Sequence, residues 1–144
     1  MSASTPNPEA IVLAFDFGTR RIGVAVGSTL LRQARALATI DEERADARFA
    51  RIGDLIAEWQ PGLLVVGIPV HADGAEHDMT ARAQRFARQL EGRFRLPVER
   101  ADERYTTQEA AAQLASSRAG RRGRDARDAL AAELILQGWF DERR

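Results

Sequence analysis

Three carboxylates occupy positions that ordinary surface acids do not, and their placement defines the chemistry to look for. Asp16 interrupts the apolar run from Ile11 to Phe17, sharing its strand face with Val12 and Ala14 while Phe15 and Phe17 take the other. An ionised carboxylate in such a strand needs a cation or hydrogen bonds to compensate it. A metal would serve, and so would an ion pair to Arg20 or Arg21. Asp128 stands at the head of the last helical segment, in line with Ala131, Ala132, Ile135 and Trp139. That stripe must face the core, which turns the acid toward a sheet. A first-turn acid complementing the helix dipole, with Asp125 as N-cap, is the plainer account. Glu103, between Asp102 and Arg104, follows the last strand. Sheet rims of that kind bind ligands in α/β folds, although charged turns are common there too.

None of the three is specific alone. From a central strand, a strand end and a sheet-facing helix start, they could converge on one rim. Hard cations such as Mg²⁺ or Mn²⁺ take oxygen ligands and keep part of their water shell. Two such ions in one site can activate water and stabilise the leaving oxygen in phosphodiester cleavage.

The arginines supply a second signal. All 21 basic residues are arginine, and Arg118, Arg121, Arg122, Arg124 and Arg127 crowd one Gly-containing stretch. Arginine suits bidentate phosphate contacts. A GC-rich genome gives the same bias, and a solvated loop the same cluster. Acids collect instead at Asp41, Glu42, Glu43 and Asp46, so a net charge of zero conceals a polarised chain. His71 and His77, six apart in a loop without cysteine or an H-E-x-x-H pattern, make a poor zinc site. They read as an exposed loop.

The elements that must position these groups follow from periodicity. Ile11 to Phe17 and Arg21 to Val26 form a hairpin around Gly18-Thr19, and Ala34 to Ile40 supplies a third strand. Phe49, Ile52, Leu55, Ile56 and Trp59 recur at helical spacing and stop before Pro61-Gly62. A short strand at Leu63 to Val66 is closed by Gly67 and Pro69. A helix from Met79 to Phe94 follows, with Asp78 as its cap, and then a strand from Pro97 to about Ala101. Thr106 and Glu109 form a capping box for a helix to about Ser116. A last helix covers about Asp125 to Trp139. An opening meander followed by alternating helices and strands predicts an α/β, RNase H-like fold, a mixed five-stranded sheet flanked by helices.

With 144 residues and 44% apolar content, one domain is expected over residues 10–144, behind a short disordered tail at 1–9. The absence of cysteine excludes disulfides, thiolate metal sites and cysteine nucleophiles. No membrane-spanning run and no secretory signal is visible, so the expected location is cytoplasmic.

Asp16-Phe17-Gly18-Thr19-Arg20-Arg21-Ile22-Gly23-Val24-Ala25-Val26 resembles the opening motif of the YqgF family. Val65 to Val70 with Asp73-Gly74 is similar to that family's second motif. Asp102-Glu103-Arg104-Tyr105-Thr106-Thr107 is similar to its third, and Asp128 to Ala132 with Ile135-Leu136-Gln137 to its fourth. The likeness runs from Ile11 to Phe140. It implies an RNase H-like nuclease with Asp16, Glu103 and Asp128 as catalytic and metal-binding acids and Mg²⁺ or Mn²⁺ as cofactor. The expected reaction is 5′-end processing of pre-16S ribosomal RNA, or alternatively resolution of Holliday junctions in DNA. The expected partner is nucleic acid, structured RNA or branched DNA, met by a monomer or weak homodimer. Arg20, Arg21, Arg104, Arg121, Arg122 and Arg124 are the expected substrate contacts. This chain departs from the family pattern at Gly27-Ser28, at His71, and in carrying arginine where lysine commonly precedes the last acid.

Two rivals share these features. Asp16-Phe17-Gly18-Thr19 also looks like the phosphate turn of actin-like ATPases, but those need two such domains and this chain supplies one. A non-catalytic nucleic-acid-binding module would keep the fold and do without the acids.

Overall fold

The computed structural model describes residues 10–69, 78–103 and 123–143, with the side chains of Glu103 and of residues 123–126 outside that description. The elements are β1 (Ile11–Asp16), β2 (Ile22–Ser28), β3 (Ala34–Ile40), α1 (Ala45–Trp59), β4 (Leu63–Pro69), α2 (Asp78–Phe94), β5 (Val98–Glu103) and α3 (Gly123–Glu142). The helix expected from Thr106 to Ser116 lies outside the described residues, as do His71, His77, Arg104, Arg121 and Arg122.

The sheet has the order β3-β2-β1-β4-β5. β1 pairs with β2 and β2 with β3 antiparallel, whereas β4 pairs parallel to both β1 and β5. This is the mixed sheet the meander implied. β1 lies in the middle, and Val12 to Phe15 are fully buried, as a strand covered on both faces requires.

Alternation along β1 divides the core. Leu13 and Phe15 join Phe49, Ile52, Phe86 and Leu90 beneath α1 and α2. The Phe86 ring lies 4.9 Å from Phe17 and 6.0 Å from both Phe15 and Phe49. Val12 and Ala14 face the other way, onto Ala132, Ile135, Leu136 and Trp139 of α3. Asp16, two residues beyond Ala14, therefore belongs to the face that α3 covers.

α3 also protects an open sheet edge. Unpaired strand edges invite association with other chains. Here the Ala34 and Ala36 amides of β3 donate to Gln137 Oε1 (3.0 Å) and Glu133 Oε1 (2.9 Å). Glu133 and Gln137 are one helical turn apart, so a single helix face satisfies two edge donors.

Several boundaries differ from the expected ones. β4 runs on through Gly67 to Pro69, because its parallel ladder with β5 continues to the Pro69–Glu103 pair. Asp102 and Glu103 consequently belong to β5 rather than to a turn beyond it. α3 begins at Gly123, which places Asp125 inside the first turn and not at the N-cap. Asp78 is likewise the first residue of α2, and Thr80 Oγ1 ties that helix start to the Pro69 carbonyl at 3.0 Å. α1 stops where Pro61-Gly62 indicated, with Gln60 left-handed and its N–H donating to the Ile56 carbonyl. No described helix is long and apolar enough to cross a membrane.

Candidate active site at the carboxyl edge of the sheet

β1, β4 and β5 run in the same direction, so their last residues share one edge of the sheet. Asp16 ends β1 and is only 8% exposed. Asp16 and Arg48 are the buried charged residues of the described structure. Glu103 ends β5 at the same edge, and Ala101, two residues earlier, packs against the cluster beneath α3.

What brings Asp128 here is a glycine. Gly23 pairs with Asp16 across the hairpin, and the α3 backbone rests directly on it. A Cβ on Gly23 would overlap the Asp128 carbonyl and crowd the Ala129 nitrogen. Only a residue without a side chain admits this approach. The sixth residue of α3 is thereby seated against the strand residue paired with Asp16. The stripe Ala131, Ala132, Ile135 and Trp139 is buried as its spacing required.

The Arg21 guanidinium reaches Asp128: Nε donates to Oδ2 at 2.8 Å, both side chains being less than a quarter exposed. Of the two partners considered for Asp16 in the sequence, Arg21 thus pairs with the other acid, and Arg20 is exposed. The ion pair holds the Asp128 carboxylate in one orientation at the hairpin. Among the described residues no cluster of three or more metal-ligating side chains is found, a set that leaves out the side chain of Glu103.

Sequence reasoning missed Arg48. It looks like a polar residue of an amphipathic helix, yet it is 7% exposed. Its Nε donates to the Glu42 carbonyl and its Nη2 to the Gly18 carbonyl at 2.6 Å, with the guanidinium 5.4 Å over the Phe17 ring. Burial pushes its pKa below the usual guanidinium value, and the charge of Glu43 partly offsets this. Arg48 therefore links α1 to the turn that follows Asp16. That turn is tight: a Cβ on Gly18 would sit 2.5 Å from the Arg21 carbonyl oxygen. Arg48→Met should leave the Gly18 and Glu42 carbonyls without this donor and cost about 2 kcal/mol, read as a lower denaturation midpoint. An unchanged midpoint would show that water replaces the guanidinium fully. The available sequence signal was position: Arg48 precedes Phe49 and lies four residues from Ile52, on the buried side of α1.

Comparison with known proteins agrees with this architecture. The family model described as "RuvX: Holliday junction resolvase" matches residues 10–142. A protein of Nitrosomonas europaea named "Putative pre-16S rRNA nuclease" is 53% identical over 142 residues, covering 98% of this chain and 96% of its own. A protein of the same name from Nitrosomonas eutropha is 57% identical over 133 residues, covering 90% and 83%. Among solved structures, Thermus thermophilus RuvC aligns with a TM-score of 0.55 at 17% identity, covering 92% of this chain and 95% of that one. At that identity the likeness speaks for the fold, which is the RNase H-like one. With nearly the whole chain matched by the family model and by relatives above half identity, the protein belongs to the RuvX (YqgF) family.

Proposed function

We propose that this protein is a divalent-metal-dependent nuclease that hydrolyses phosphodiester bonds in ribosomal RNA precursors. The observation that carries the reading is the seating of Asp128 against Gly23, the strand partner of Asp16, at the edge where β5 also ends in Glu103. Two carboxylates with low exposure at one sheet edge suit a hard cation, whose preferred donors are oxygens. Asp16, Asp128 and Glu103 would hold it. When bound, such a cation supplies Lewis acidity toward a phosphate oxygen and lowers the pKa of a coordinated water.

The remaining work falls to the chain itself. Arg21 orients the Asp128 carboxylate through its 2.8 Å hydrogen bond. Arg48 fixes the Gly18 carbonyl and with it the turn that ends β1. Arg20, exposed on that turn, would meet a substrate phosphate, and Arg104, Arg121, Arg122 and Arg124 would hold the flanking backbone. The substrate class comes from relatives more than half identical, whose names specify pre-16S rRNA.

The family model's description favours a second reading, in which the substrate is a four-way DNA junction. Paired cuts in a junction call for a dimer, whereas trimming a precursor end does not. Incubation of the protein with labelled pre-16S RNA and with a labelled four-way junction, each with Mg²⁺ or with excess chelator, separates these cases. The expected result is chelator-sensitive cleavage of the RNA. Undiminished cleavage in chelator would overturn the metal assignment, and cleavage of the junction alone would transfer the function to DNA.

A further inference from the structure

On the face opposite α3, directly behind Asp16, lies a cavity of about 400 Å³ between α1 and α2. Its apolar lining is the partly exposed Phe17 with Phe49 and Phe86 buried behind it, and its rim carries the exposed Arg82 and Arg85, with the buried Arg48 and a single acid, Glu43, beside them. Phe17 is the residue after Asp16, so the cavity and the carboxylate edge share one strand end on opposite faces. We propose that this cavity receives one unpaired nucleotide of the substrate strand. The base lies against Phe17, the partly exposed ring of the lining, and its phosphates meet Arg82 and Arg85. The inference rests on the nuclease reading and specifies that the substrate is single-stranded beside the cleavage edge.

The chemistry of the lining supports this occupant over others. Single-stranded nucleic acid is bound by aromatic surfaces for the bases together with a basic track for the backbone. Arg82 and Arg85 are exposed and one turn apart on α2, with Gln89 continuing the same helix face along the cavity. Arg48 is 7% exposed and already donates to the Glu42 and Gly18 carbonyls, so the phosphate contacts fall to Arg82 and Arg85. The cavity is near the small end of ligand sites, about 300–1,000 Å³. A concavity of this size admits an extruded or unpaired base, whereas a paired duplex presents only its grooves and backbone. An acidic peptide would satisfy the arginines but makes no use of the Phe17 ring between them and the strand end.

The test uses the whole protein in excess chelator, so that the probes stay intact. Two fluorescent RNA hairpins are compared, one blunt and one with a short single-stranded 5′ extension. The double variant Arg82→Gln/Arg85→Gln alters two exposed side chains, and an unchanged melting temperature verifies its fold. It is expected to bind the extended hairpin about tenfold more weakly than wild type, with a salt slope shallower by about 0.7 per lost phosphate contact. Blunt-hairpin affinity should not change. Equal losses on both hairpins would reduce the arginines to a general basic surface and overturn the proposal, as would no loss on either. Competition by polyglutamate as strong as by the extension strand would also overturn it. Failure of the nuclease reading shows separately, as absence of metal-dependent cleavage by wild type.

Discussion

Asp16→Asn and Asp128→Asn are each expected to lower cleavage by about 10²–10³-fold at saturating substrate, while the protein remains folded. The magnitude follows from losing several kcal/mol of charge stabilisation at the reacting phosphate, at a factor of ten for every 1.36 kcal/mol. Asparagine keeps the shape and one acceptor oxygen but loses the charge that a hard cation requires. The two variants should differ in stability, and that difference is the informative control. Asp128→Asn breaks the charge-assisted bond from Arg21, whose guanidinium then lacks its carboxylate, at a cost of roughly 1–2 kcal/mol. Asp16→Asn leaves both members of the Arg21–Asp128 pair unchanged. Equal catalytic loss with unequal melting temperatures would separate the acids' role in cleavage from their role in folding. Wild-type rates in both would make the acids structural and the protein a nucleic-acid-binding module.

The placement of the candidate acids Asp16 and Asp128 was legible because both residues break local rules. An aspartate inside the run Ile11 to Phe17, and another in line with Ala131, Ala132, Ile135 and Trp139, conflict with apolar patterning, and such conflicts mark functional positions. The third strand appeared with the bounds it has in the structure, Ala34–Ile40. What the sequence withheld were features that depend on pairing across the fold. The extension of β4 through Gly67 and Pro69 rests on a parallel partner remote in sequence. The Arg21–Asp128 pair spans 107 residues, and no local pattern distinguishes it from a pair to Asp16. Arg48 was hidden because its partners are backbone carbonyls, which carry no residue-type signature. Gly23 looked like a small residue in a strand, and only the position of α3 reveals what its missing side chain permits.

Gly23→Ala is accordingly expected to be the most damaging single-methyl substitution in the hairpin. The added Cβ would overlap the Asp128 carbonyl, and that neighbour is helix backbone rather than a side chain able to swing away. Relief requires α3 to lift from β2, where Ala132, Ile135, Leu136 and Trp139 are buried against the sheet. Overpacking of this kind costs about 3 kcal/mol or slightly more, and at roughly 3 °C per kcal/mol for a domain of this size the melting temperature should fall by about 10 °C. Asp128 would move with the helix, so cleavage should be lost even below the new midpoint, where the protein is still folded. Gly92→Ala provides the matched control, since a Cβ there meets nothing within 4 Å and the residue lies exposed in α2. That change should stabilise by about 0.5–1 kcal/mol, as alanine is the better helix former. Thermal melts and metal-dependent cleavage measured on the two variants side by side decide the matter. A Gly23→Ala protein that melts and cleaves like wild type would mean that α3 does not rest on β2 at this point, and the convergence of Asp16 with Asp128 would lose its structural basis.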